Sequence, residues 1–261
     1  MDVYMQNSNV FHAWKWLLAH LVVAATISYA ATMFVARMFQ MEPTTLLKAA
    51  TFGLPHVGTM VTNRGAAFGM DTWLMLFFCN LTVALLRVAL VYWAKLLNPH
   101  SKSRSFLRLR TYLQKDRSAE YLCKIPTFAR IQSPQLRVSS FLLLVIPHIA
   151  AIALGFMAGN LIAIGHVFSS SLLVGLAYIL PHGIPEFAAI LLACSIPLGI
   201  WMNIRSGVGN VPTSESFRGI DHVVKSLQFQ QNLKMIINLL LIAGLTEAYL
   251  TQKVVDMLSG I

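Results

Sequence analysis

His182 and Glu186 stand four residues apart in Leu180-Pro181-His182-Gly183-Ile184-Pro185-Glu186, inside a run that is otherwise apolar from residue 171 to 201. At that spacing an imidazole and a carboxylate share one face of a continuous helix. Together they can share a proton, hold a cation, or cap the amides exposed where a helix begins. Ionisable groups at membrane depth are costly and usually face a protein interior or a wet cavity. Glu247, in LLLIAGLTEAYLTQ, is a second carboxylate in an apolar run. It needs a partner or a proton, and Arg87 in LLRVALVYW is the candidate cation. Asn80 and His148 are further polar groups in apolar surroundings. A network joining these side chains would fix helix register. Arg87 has a second option, snorkelling to the membrane edge.

Metal binding demands more ligands than His182 and Glu186 supply. There is no HExxH, no GxSxG with a usable base, and no phosphate-binding Gly-rich loop. The sequence therefore assigns no catalytic residue, no metal and no cofactor. Cys79, Cys123 and Cys194 form no CxxC pair, so neither a zinc ribbon nor a disulfide framework is expected.

The elements that must carry these residues are membrane helices. Hydrophobic residues make up 56% of the 261 and charged residues 11%; mean hydropathy is +0.64. Soluble domains carry about 25% charged residues. The formal net charge of +10 is unevenly placed. Ten Lys and Arg fall between Lys95 and Arg137, opposed by Asp116 and Glu120. In a membrane protein this marks a cytoplasmic loop, residues 98–137, able to touch anionic headgroups. No nucleic-acid motif accompanies the charge, so no nucleic-acid partner is expected. The start, MDVYMQNSNVFHAWKW, has no cleavable-signal pattern.

Spans are expected at about residues 14–39, 72–97, 138–165 and 233–252, with one broken crossing over 167–203. As a single helix that last stretch would extend about 55 Å, against a hydrocarbon core of about 30 Å. The chain must bend, re-enter or cross twice, and residues 181–185 supply two prolines and a glycine for it. Five crossings put the N-terminus inside and the C-terminus outside. Six would move the 205–231 loop outside; its own mild basicity favours five. Residues 42–71, with Lys48, Pro55, His56 and Arg64, read as an interfacial or partly re-entrant connection. Residues 104–114 suit an amphipathic surface helix, on lipid or on protein. Gly155, Ala158 and Gly159 allow close helix contact. The expected fold class is all-α: one polytopic transmembrane bundle over residues 1–261, with a broken or re-entrant helix at 181–185.

Three patches resemble the stage II sporulation protein M family. The segment from Leu180 to Glu186, followed by Ala188 and Ala189, is similar to the family's PHG-x-x-E signature. Ala243-Gly244-Leu245-Thr246-Glu247-Ala248 is similar to its C-terminal Ala-x-x-x-Glu-Ala pattern. Phe78-Cys79-Asn80-Leu81 is similar to its Asn-Asn segment, with Cys79 standing where the first Asn belongs. The resemblance spans about residues 70–255. It implies a multi-pass cell-membrane scaffold or complex subunit that holds partner proteins, such as cell-envelope or peptidoglycan-remodelling enzymes. Its expected partners are membrane lipids, other membrane or envelope proteins, and further copies of itself. It implies no catalytic residues. The residues alone leave a second reading open: a transporter or channel subunit moving protons or ions through His182 and Glu186.

Overall fold

The computed structural model describes residues 3–41, 45, 71–97, 108, 111, 121–205, 213 and 216–259. Apart from residues 45, 71, 108 and 111, the expected connection at 42–71 and the amphipathic segment at 104–114 lie outside the described residues, as does most of the basic loop. No strand occurs among those described.

The helices are α1 (Val3–Met38), α2 (Thr72–Leu97), α3 (Pro126–Ala129), α4 (Pro134–Ser169), α5 (Leu172–Ala177), α6 (Leu180–Arg205), α7 (Ile220–Lys225), α8 (Leu227–Thr246) and α9 (Gln252–Ser259). A π-helical turn, Glu247–Thr251, joins α8 to α9. Among the described residues five helices are long and apolar enough to cross a membrane: Asn9–Met38, Trp73–Leu97, Pro134–Ser169, Leu180–Arg205 and Leu227–Thr251. The polytopic all-helical bundle is therefore as expected. α6 is its buried member, with 78% of its most apolar window buried against 17–33% for the others. Its apolar residues run all round the helix, as such burial requires.

The position of the break differs from expectation. It does not fall within residues 181–185. The chain reverses after α4 at Ser170, whose φ of 53° is left-handed, runs through the short α5, and jogs at Tyr178–Ile179. α6 then continues through Pro181, Gly183 and Pro185. Pro181 lies in the first turn, where a missing N–H costs nothing. Pro185 frees one carbonyl, that of Pro181, which a membrane helix tolerates when its neighbours cover it. The prolines thus begin the helix that follows the break.

The chain divides into two compact units, and the long helices contribute residues to both. The first comprises Met1–Leu17, Ala84–Ala150 and Leu192–Lys234. Its core includes Phe128, Leu143, Ile196, Phe217 and Phe229. Tyr92 meets Phe229 edge-on at 6.4 Å, Lys95 pairs with Asp221, and Asn9 bonds Asn203. Gly199 lets α6 press on α1, since a Cβ there would stand 2.9 Å from Val10 Cγ2.

The second unit comprises Leu18–Val83, Ala151–Leu191 and Met235–Ile261. Here α1 and α4 run parallel in close contact. A Cβ on Gly155 would sit 2.2 Å from the Leu21 carbonyl oxygen, and one on Gly159 2.1 Å from that of Ala25. The small-residue contact read from the sequence is thus at this interface. Polar groups sit beside it. Ser28 Oγ is 2.8 Å from the Phe156 carbonyl, Thr32 Oγ1 is 2.6 Å from Asn160 Oδ1, and Tyr29 Oη is 2.7 Å from His166 Nδ1. Gly165 and Gly175 bring α5 equally close to α4.

Candidate functional site

Within the second unit, α6 and the end of α8 carry matching pairs of polar residues. On α6, His182 and Glu186 share a face at i, i+4. Opposite, Glu247 opens the π turn and Thr251 closes it. His182 Nδ1 lies 3.2 Å from Thr251 Oγ1. Glu247 is near enough for its charge to act on Glu186. Four residues forward on α6 therefore correspond to four residues back on the facing segment, an antiparallel ladder with one ionisable group on the His182–Thr251 rung and two on the Glu186–Glu247 rung.

The π turn is part of this geometry. Such turns are rare and concentrate at functional sites. Thr251 Oγ1 reaches back 3.3 Å to the Thr246 carbonyl, five residues earlier. If the hydroxyl proton serves that carbonyl, Thr251 accepts from an Nδ1–H of His182, leaving Nε2 as the ring's acceptor. The start of α2 covers the neighbouring surface. A Cβ on Gly244 would stand 3.1 Å from the Trp73 carbonyl oxygen and 3.5 Å from Phe77 Cβ. Gly183 is buried on α6, with Phe187 and Ile179 side chains 3.1–3.3 Å from where its Cβ would be.

Neither carboxylate has a hydrogen bond or ion pair among the described residues. No group of three His, Cys, Asp or Glu side chains converges as a metal would require, again among the described residues. The arrangement can share a proton or hold a small cation between Glu186 and Glu247. It can equally lock the register of two helices.

The other candidates fall elsewhere. Asn80 is half-buried on α2 in the second unit. Arg87 and His148 belong to the first unit. Arg87 lies beside the buried Cys194 thiol, close enough to interact with it, and its Nε is buried with no hydrogen-bond partner among the described residues. It makes no ion pair among the described residues, so the cation expected for Glu247 is engaged with a thiol. His148 Nδ1 lies 2.6 Å from the Leu144 carbonyl of its own helix. Sequence reasoning overlooked Thr251 and the Ser28–Thr32–Asn160 cluster. The i, i+4 spacing of Ser28 and Thr32, and of Glu247 and Thr251, was the available signal.

Residues 131–252 match the model of the family described as stage II sporulation protein M. The matched segment contains both the His182–Glu186 and the Glu247–Thr251 pairs. It bears out the resemblance of the Leu180–Glu186 and Ala243–Ala248 patches, the Phe78–Leu81 patch lies outside it, and its description names no enzymatic activity. No curated protein and no solved structure matches the chain.

Proposed function

We propose that this protein, an integral membrane protein with the likeness to stage II sporulation protein M just described, is a single-domain membrane scaffold or complex subunit. Its task is to hold partner proteins, in particular cell-envelope or peptidoglycan-remodelling enzymes, at the cell membrane. The observation that carries this reading is where the ionisable ladder sits. At 1.5 Å per residue, Glu186 is about 10 Å, and Glu247 about 12 Å, from the middle of its span. A transport site built from broken helices lies near the bilayer midplane. The ladder lies toward one end of both spans, inside a helix–helix contact, where its His182–Thr251 rung specifies register.

The test is recovery of intact complex. Affinity purification from native membranes should yield the wild-type chain with stoichiometric envelope partners. Glu186→Ala should lower recovery of folded chain and of partners together. Normal folding and partner recovery, with loss confined to ion flux, would overturn the reading.

One observation favours a second reading, proton or cation handling. Carboxyl groups on α6 and on the π turn lie near enough to interact, and among the described residues neither has a cationic partner. Flux across proteoliposomes under a proton gradient, abolished by Glu186→Gln, would establish it. Absence of flux for protons and for common cations would remove it.

A further inference from the structure

The outward face of α8 carries Met235, Asn238, Ile242 and Leu245, all exposed. Their 3-4-3 spacing is that of a seam for a neighbouring left-handed helix pair. Exposed apolar residues on a membrane helix are covered by lipid and need no partner. Asn238 is a different case. It lies about 2 Å from the middle of the span Leu227–Thr251, beyond the reach of headgroups. Its carboxamide makes no hydrogen bond among the described residues. Thr26 and Thr82 are also exposed within spans, but each bonds a carbonyl of its own helix, Val22 at 2.9 Å and Phe78 at 2.8 Å. Asn238 has no such outlet. An unpaired amide in hydrocarbon is costly, and lipid tails offer it nothing.

We propose that this face of α8, centred on Asn238, is an intramembrane interface between two copies of the chain. The occupant follows from complementarity. A carboxamide both donates and accepts, so it is its own partner. Copies inserted in the same orientation run parallel. A two-fold axis along the membrane normal sets Asn238 opposite Asn238 at the same depth. The flanking Met235, Ile242 and Leu245 carry no charge, and Lys234, exposed one turn before Asn238, has a chain long enough to turn its ammonium towards the membrane edge. The proposal deepens the complex-subunit reading by naming one of the partners.

The test uses the full chain in native membranes, with Cys79, Cys123 and Cys194 replaced. Oxidation should cross-link Met235→Cys and Ile242→Cys, which leave Asn238 in place, into disulfide dimers. Ile149→Cys, exposed on α4, should remain monomeric. Equal cross-linking from Ile149→Cys, no dimer from Met235→Cys and Ile242→Cys, or a cross-link solely to a different protein would overturn the proposal. In detergent, Asn238→Leu should weaken dimerisation about five- to thirty-fold, while Asn238→Gln retains it. Asn238 packs outward, so Asn238→Leu should keep wild-type helix content and melting temperature. Undiminished dimerisation of that variant would count against the hydrogen-bonded seam. A wild-type chain that recovers its partners but forms no dimer overturns this interface and leaves the scaffold reading standing. An intact dimer without partners does the reverse.

Discussion

His182 Nδ1 meets Thr251 Oγ1 at 3.2 Å, one helical turn from the place where Glu186 faces Glu247. The first rung joins a ring nitrogen to a hydroxyl; the second brings two carboxyl groups near each other. A helix pair so arranged has one favourable polar contact that fixes its register and one that responds to whatever lies between the acids.

The favourable rung can be measured. Thr251→Val keeps the shape of a buried residue and removes the hydroxyl. Unfolding in detergent should show a loss of about 0.5–1.5 kcal/mol, the usual net worth of such a bond. His182→Ala should cost less in the Thr251→Val background than in the wild type. Strictly additive losses would mean that the two side chains do not interact.

The acid rung should behave in the opposite sense. Glu186→Gln and Glu247→Gln keep volume and polarity and remove an ionisable group, and with it the repulsion between the two acids when both are charged. Each single variant should melt at or above the wild-type temperature. The double variant should gain less than the sum of the two, because either change alone already relieves the contact. A marked loss of stability on Glu186→Gln would show that the carboxylate itself is needed.

The α1–α4 contact depends on missing side chains. Gly155→Ala or Gly159→Ala would place a Cβ about 2 Å from a backbone carbonyl oxygen, so the helices must move apart. Overpacking of this kind costs about 1–3 kcal/mol. Gly219→Ala, with nothing within 4 Å, should be nearly neutral. Thermal unfolding of the three variants checks the ranking; equal effects would contradict the close approach.

Topology is open to labelling. With five crossings, single cysteines at Thr127 and His222 share the basic, cytoplasmic side, and cysteines at Ser170 and Lys253 share the other. A membrane-impermeant maleimide added outside intact cells should modify Ser170→Cys and Lys253→Cys alone. Labelling of His222→Cys from outside would require a sixth crossing.

Composition and patterning determined the membrane setting and the helical class. Runs such as TWLMLFFCNLTVALLRVALVYWAKLL are too long and apolar to be anything but spans, and the second was placed to the residue. The excess length of the 167–203 stretch demanded a break because a helix has a fixed rise. Its location was not legible. Two prolines can end a helix or begin one, and the left-handed Ser170 and the packing of Gly165 on Gly175 settled the matter. The acids were conspicuous by type, since a carboxylate in an apolar run stands out wherever it falls. Their mutual facing, the hydroxyl of Thr251 opposite His182, and the engagement of Arg87 with Cys194 were decided by tertiary structure. Each joins residues dozens of positions or more apart in the chain, and helical periodicity says which face a residue occupies but not which helix that face will meet.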